Sequence, residues 1–256
     1  MLRFTRECLA IAIVEMHKLV RDPTEMFSRA IQPVLWLAIF GQVFSRVRGI
    51  PTGNLHYLDY MAPGILAQSI LFSAIFYGIA VIWERDLGIV HKLLVTPAHR
   101  SALIGGKALA AGLRGLVQAI VVYGVAVILK VNIRWEFLPI LTAAAGVFIG
   151  SGVFSTFSLL IASIVKTRER FMGIGQVLTM PLFFASNAIY PLELMPDWLK
   201  SVAIFNPLTY LVDVLRGSMI VGGVSTFPVI TSFGVMGLVF LILLALASKI
   251  YPGLAH

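Results

Sequence analysis

Residues 60–83 read Tyr-Met-Ala-Pro-Gly-Ile-Leu-Ala-Gln-Ser-Ile-Leu-Phe-Ser-Ala-Ile-Phe-Tyr-Gly-Ile-Ala-Val-Ile-Trp, a run with no Asp, Glu, Lys or Arg. A helix crosses the hydrocarbon core of a bilayer in about 20 mostly apolar residues. This run is long enough and clean enough to be such a span, and the rest of the chain repeats it. Working outward from it, an earlier apolar stretch covers Ala30–Ser45, beginning near Met26 with Arg29 at the interface. Later ones lie within Ser101–Leu129 (containing Lys107 and Arg114), over Phe137–Val165, over Phe171–Leu192, and within Gly217–Ser248, the last starting near Pro228. Six spans make an all-α membrane protein. The expected organisation is one transmembrane domain over 1–256: an interfacial helix at 1–25, then a six-span core at 26–250 with a re-entrant segment near 192–220.

Composition points the same way. Hydrophobic residues are 59% of the 256 and charged residues 12%, with mean hydropathy +0.92. A soluble domain carries about 25% charged residues, and disorder needs low hydrophobicity and high charge. Both classes are excluded. The net charge is +8. The bases sit in short connections between apolar runs, which suits anionic lipid headgroups better than nucleic acid. Thirteen Lys and Arg fall on one side of the six spans and six on the other. The bias puts both termini in the cytoplasm.

Several chemistries lack their residues. The single cysteine, Cys8, allows neither an intrachain disulfide nor a cysteine metal cluster. No cleavable signal peptide is evident among the acids and bases of the N-terminus. The six spans contain no Asp or Glu, which argues against a proton-coupled carrier and an intramembrane aspartyl protease. The five histidines are scattered without metal-ligand spacing. Gly150-Ser151-Gly152 is read as helix packing rather than a nucleophile. Gly106-Lys107 resembles half a phosphate loop, but Ser101 and Ala108 occupy the positions where the motif needs Gly and Ser/Thr. The chain is therefore expected to bind no metal, nucleotide or other cofactor of its own.

Three non-spanning segments carry pattern. Residues 4–20 mix Phe4, Leu9, Ile11, Ile13, Met16 and Leu19 with charges, as a helix lying along a membrane surface does, and Asp22-Pro23 ends it. The connection from Glu84 to Pro97 places Leu87, Val90 and Leu94 on one helical face. Glu84 and Asp86 stand at its expected N-terminus, where the dipole favours acids, and Thr96-Pro97 stops it. Such a helix either rests on the membrane or docks into a partner. Residues 193–216 are too polar to span, and Pro191, Pro196 and Pro207 cut them into short pieces dipping into the outer leaflet. Arg114 either snorkels toward the cytoplasm or is buried against Glu84. Asp213 and Arg216, three apart, are expected to form a local ion pair.

In three places the sequence resembles the permease subunits of type-2 ABC exporters, such as the daunorubicin-resistance and nodulation-factor exporters. These are the Glu84-Arg85 start with Gly88 and Leu93-Leu94-Val95-Thr96-Pro97; Pro191 with Met195-Pro196-Asp197-Trp198-Leu199; and Asn206-Pro207-Leu208-Thr209-Tyr210 with Asp213 and Arg216. The resemblance implies a membrane path formed with a second copy or a close relative, on two separate ABC ATP-binding subunits that hold the ATP and magnesium. It implies that Glu84, Arg85, Asp86, Leu87, Gly88, Val90, Leu94, Thr96 and Pro97 form the helix that couples to the ATPase, and that the N-terminal interfacial helix is the family's connecting helix. It implies that the first and fifth spans line the path, through Gln32, Trp36, Gln176, Thr179, Phe183 and Asn187. Pro196, Trp198, Asn206, Pro207, Tyr210, Asp213 and Arg216 would form the extracellular re-entrant motif. Amides and aromatics without acids suit an amphipathic cargo: a drug, glycolipid, lipid-linked saccharide or metabolite. The expected setting is a prokaryotic plasma membrane. The competing readings are a stand-alone secondary carrier and a membrane assembly subunit that transports nothing.

Overall fold

The computed structural model describes residues 2–21, 31–45, 55–89, 92, 95, 99–165 and 167–250. In chain order its helices are α1 (Leu2–Arg21), α2 (Ile31–Phe44), α3 (Tyr57–Asp86), α4 (Arg100–Ile128), α5 (Phe137–Ile164), α6 (Arg168–Phe184), α7 (Asp197–Phe205), α8 (Pro207–Met219) and α9 (Val229–Ile250). Among the described residues the only β feature is an isolated antiparallel bridge, Ile133 to Ile220.

Four helices, α3, α4, α5 and α9, are long and apolar enough to cross a membrane. The uncharged run at 60–83 lies inside α3, which is buried on nearly all sides. An apolar helix without a polar face belongs in the centre of a bundle, and α5 packs beside α3 there. The first expected span is described as α2, which contains a π-helical turn at Trp36–Gly41 and whose 14 residues give about 21 Å at 1.5 Å each; its expected start near Met26 and Arg29 lies outside the described residues. The fifth was expected to reach Leu192, but α6 stops at Phe184. Its last carbonyls are taken by side chains from beyond it: Asn206 Nδ2 donates to Leu182 O (2.6 Å) and Ala185 O (3.0 Å), and Tyr190 Oη donates to Phe184 O. Helix ends need such partners. The following segment is pressed on α3, where a Cβ on Gly64 would lie 2.3 Å from Ala188 O. Its irregular backbone is thus covered by protein, as membrane depth requires.

Small residues set the helix crossings. Gly78 N–H donates to Ser158 Oγ (3.1 Å), which donates to Ile75 O (3.0 Å), joining α3 to α5. A Cβ on Gly115 would meet Ser151 Oγ at 2.0 Å, and one on Gly150 would meet Leu211 at 2.7 Å. The Gly150-Ser151-Gly152 triplet is therefore a packing knot against α4 and α8. At the end of the bundle where α3 finishes, α1 crosses α4 over Gly106, whose added Cβ would be 2.7 Å from Cys8 O. That is the role of a glycine that looked like part of a phosphate loop.

The re-entrant region divides in two. In α8, Leu208, Leu211, Val212 and Leu215 are fully buried against α3 and α5. In α7, Trp198 and Phe205 are 69% and 86% exposed. At this same end, Asp59 accepts from Asn132 N (3.0 Å) and Nδ2 (2.9 Å), fastening α3 to the turn between α4 and α5.

Candidate functional site

The end of α3 gathers the ionisable side chains. Glu84 and Asp86 occupy the last turn of α3, so they sit at a helix C-terminus and not at the N-terminus expected from the sequence. The reason is Gly88. Its φ of +71° breaks the helix there, its N–H returns to Arg85 O (2.9 Å), and the next turn starts only beyond it. Acids at a C-terminus oppose the helix dipole, and cations from three other helices compensate them.

Glu84 accepts from Lys18 of α1 and, at 2.7 Å, from Lys107 of α4. Lys107 also donates to Glu15 of α1 (3.1 Å). Glu15 accepts in addition from Lys18 (3.0 Å) and from Arg114 Nη2 (3.3 Å), which also reaches Glu15 O (3.0 Å). Two carboxylates and three cations thus tie α1, α3 and α4 together. Lys107 is 2% exposed, and the Tyr77 ring lies beneath Lys107 and Arg114, 5.5 and 4.9 Å from its centroid. Burial alone would raise the Glu15 pKa, but Lys107 and Lys18 prevail and hold its carboxyl at about 2. Tyr77 Oη, Arg114 Nε and Ser151 Oγ have no protein partner. All three residues line a small cavity of 20 Å³, room for about one water.

Arg114 fits neither expectation: it does not snorkel outward, and its carboxylate is Glu15 rather than Glu84. Glu84 is level with Lys107, and Arg114 lies two turns, about 10 Å, further along α4. The N-terminal helix supplies the acid at that depth. From the sequence, Glu15 and Lys18 do not stand out, and Lys107 stands out only as a base within the third span and as part of an incomplete phosphate-loop match. A signal existed: Cys8, Ala12, Glu15 and Leu19 recur at helical spacing and are all 5–6% exposed, so Glu15 is one acid inside a buried stripe.

The neighbouring residues reach a fourth helix. Asp86 accepts from Arg168 Nη2 (2.7 Å) and Nε (3.0 Å) at the start of α6, and the Arg168 guanidinium stacks 3.7 Å from the Trp83 ring. Arg85 donates to Asp86 (3.0 Å) and to Val165 O (3.4 Å). Leu87 is 68% exposed. Val90, Leu94, Thr96 and Pro97 lie outside the described residues.

The six path candidates fall in different surroundings. Trp36 meets Phe183 edge-on, with centroids 6.1 Å apart, bringing α2 to α6. Gln176 is exposed, whereas Thr179, Phe183 and Asn187 are buried. Thr179 Oγ donates to Gly175 O in its own helix. Gln32 lines a cavity of 300 Å³ between α2 and α3 with Pro33, Gln68, Ser69, Phe72, Ser73 and Phe76. The Asn187 side chain has no hydrogen-bond partner, while its carbonyl accepts from Arg216 Nη2 (2.6 Å) and Tyr60 Oη (3.2 Å).

The re-entrant motif residues meet at the opposite end. Pro196 precedes α7 as its N-cap residue. Asn206 caps α8 by accepting from Leu208 N (3.0 Å), with Pro207 in its first turn, where a missing N–H costs nothing. Tyr210 Oη donates to Ile204 O (2.8 Å). Asp213 and Arg216 do not form the expected pair. Both oxygens of Asp213 are used by Thr226 N (2.7 Å) and Phe227 N (2.9 Å), and the Arg216 guanidinium lies 3.8 Å from the Tyr60 ring centroid. Backbone donors 13 and 14 positions further along the chain take the acid in place of its helical neighbour.

The pattern of ABC-2 type transporters matches residues 6–220, which includes the charged cluster and the re-entrant motif as far as Arg216. The chain belongs to the ABC-2 type transporter family. Among its relatives, a putative transport permease ycf38 of Cyanophora paradoxa is 29% identical over 216 residues, 83% of this chain and 74% of the relative. A probable doxorubicin resistance ABC transporter permease protein DrrC of Mycobacterium tuberculosis is 25% identical over 214 residues, 82% and 75% of the two chains. Nodulation protein J of Rhizobium leguminosarum bv. viciae is 22% identical over 194 residues, 73% and 72%. This ABC-2 chain is a multi-pass membrane permease subunit, and membership of the family pairs it with an ABC ATP-binding subunit. Among the described residues no group of His, Cys, Asp or Glu could hold a metal ion.

Proposed function

We propose that this permease forms a cargo path with a second permease chain and is driven through the end of α3 by two ATP-binding subunits, which hold the ATP and magnesium. The observation that carries the proposal is the charged cluster. Glu84 sits at the root of the loop that ends at Pro97, and its carboxylate is held by Lys18 of α1 and Lys107 of α4. One residue pair further, Asp86 holds Arg168 of α6. A push on that loop is thereby shared by α1, α3, α4 and α6 together. Ligand-driven change needs contacts that differ between two states, and ion pairs that can exchange partners supply them. In this proposal the end bearing the cluster faces the cytoplasm of a prokaryotic cell, both termini lie there, and the re-entrant helices face outside.

The path runs between the α2 and α6 faces of the two chains, past Trp36 and Gln176. Its cargo is amphipathic: amides and aromatics offer a polar head a few hydrogen bonds and an apolar body a broad surface. The test is coexpression with the cognate ATPase in vesicles. Glu84→Gln and Leu87→Asp are expected to leave the ATPase bound to nucleotide while uncoupling hydrolysis from transport at least about tenfold. Unchanged coupling in both variants would remove the lever from the proposal, and transport persisting without any ATPase would favour a stand-alone carrier.

A further inference from the structure

At the end opposite the charged cluster, an apolar groove of 510 Å³ opens on the outside of the bundle between α4 and α5. Ile120, Tyr123, Val127, Trp135, Ile140 and Ala144 form much of its wall, and no charged residue lines it. Its wall on α4 runs from Leu116 to Val127, about 17 Å at 1.5 Å per residue. One leaflet of the hydrocarbon core is about 15 Å deep, half of about 30 Å. Trp135, 66% exposed at the start of the next helix, is the residue type that marks the level of lipid headgroups.

Lys130 stands in the turn three residues past Val127. It is exposed, and among the described residues its ammonium has no carboxylate or other partner. The other cation of the turn, Arg134, is engaged by Glu136 at 3.4 Å. Among the described residues Lys130 is the only non-glycine with positive φ, +59°. A left-handed turn normally takes Gly or Asn, so a strained position here carries an exposed positive charge three residues past the last α4 residue of an uncharged groove.

We propose that this groove seats an anionic phospholipid, one acyl chain lying along α4 and its phosphate on Lys130. The chain gains an apolar wall one leaflet deep, and the headgroup meets a cation at headgroup level. A zwitterionic lipid offers the same phosphate, but the cation in its own headgroup offsets the attraction, so its contact with Lys130 is weaker. The proposal requires only that the protein spans a membrane, whichever way it faces and whatever its cargo.

The permease–ATPase complex, extracted from vesicles of phosphatidylcholine containing a minor share of phosphatidylglycerol, tests it by native mass spectrometry of the retained lipids. Phosphatidylglycerol is expected to be retained several-fold above its share. Lys130→Asn keeps a residue that tolerates the left-handed turn and drops the charge. It should reduce the preference to parity while lipid is still held, and Lys130→Arg should restore it. Gly124→Leu should remove the retained lipid of both kinds. Gly124 lines the groove and an added Cβ there meets nothing within 4 Å, so the side chain fills space without clashing. A preference unchanged by Lys130→Asn and Gly124→Leu overturns the proposal. So does a Gly124→Leu complex with altered subunit stoichiometry, because the groove would then be a face between protein chains.

Discussion

The two ends of the bundle are fastened by different chemistry. Where α3 finishes, helices from distant parts of the sequence meet through whole charges: Glu15 and Glu84 against Lys18, Lys107 and Arg114, then Asp86 against Arg168. Where α3 begins, acids are spent on the backbone and on an amide. Asp213 takes the N–H groups of Thr226 and Phe227, and Asp59 takes Asn132. A carboxylate on two fixed N–H groups has one good geometry. A carboxylate among three cations has several of similar energy. The first kind of end stays put, and the second can rearrange without leaving a charge bare. A permease moved from one side needs that asymmetry.

The comparison breaks most readily at Lys107. Lys107→Met leaves Glu15 and Glu84 facing each other with their shared buried cation gone. Removing one partner of a buried ion pair costs about 3–5 kcal/mol, so the detergent-purified protein should lose most of its folded yield or melt many degrees lower. Adding Glu84→Gln to Lys107→Met should recover part of the loss, because Glu84 then no longer sits buried beside Glu15 with only the half-exposed Lys18 as its cation. A Lys107→Met protein as stable as the parent would mean that charge does not hold this end.

Asp213→Ala is the matching change at the opposite end. It strands two backbone donors, Thr226 N and Phe227 N, at about 1–3 kcal/mol for an unsatisfied group. The expected result is a smaller fall in melting temperature than for Lys107→Met, with no rescue by Arg216→Gln, since Asp213 and Arg216 are not paired. Rescue by that second substitution would restore the local pair that the sequence suggested.

Acid should separate the ends as well. The Glu15 carboxyl is held at about 2, below its ordinary 4.5. A depressed carboxylate adds stability that is complete above the unfolded value and is lost as the pH falls through the folded one. Melting temperature should therefore lose its Glu15 contribution between about pH 4.5 and pH 2. Glu15→Gln should flatten that limb relative to the parent and change nothing in the slope above pH 5.

How much of this was legible depends on range. The span at 60–83 could be read because burial in lipid and burial in a bundle demand the same thing, an absence of charge. Gly150-Ser151-Gly152 was legible as packing for a similar reason. The fifth span was overdrawn to Leu192 because Ser186, Asn187 and the residues after them are apolar enough on average; what ends α6 is the side chain of Asn206, more than twenty positions away. The sequence starts the coupling helix at Glu84 because acids favour N-termini. Gly88 overrides that preference, and the cations that tolerate acids at a C-terminus come from α1, α4 and α6. The sequence pattern offers Arg114 only Glu84 as a nearby acid, while its partner, Glu15, lies in the N-terminal interfacial helix. Local rules located the elements, and the partners of the charges were set by tertiary packing, which no local rule contains.

The smallest effect on stability is expected at Asp86. Its pair with Arg168 is as short as the Lys107–Glu84 contact, both at 2.7 Å, so distance alone would rank the two equally. Exposure decides otherwise. The side chains of Asp86 and Arg168 are 36% and 33% exposed, against 11% and 2% for Glu84 and Lys107, and water screens a pair at the surface to about 0.2–1 kcal/mol. Asp86→Asn should shift the melting temperature by no more than a degree or two, and added salt should shrink even that. Arg168 keeps its stacking on Trp83 in the variant, which further limits the loss. If Asp86→Asn nevertheless lowers transport-linked ATP hydrolysis as much as Glu84→Gln does, stability and coupling have come apart, and the contact to α6 belongs to the moving part rather than to the scaffold. Equal, small effects on both would confine the lever to α1, α3 and α4.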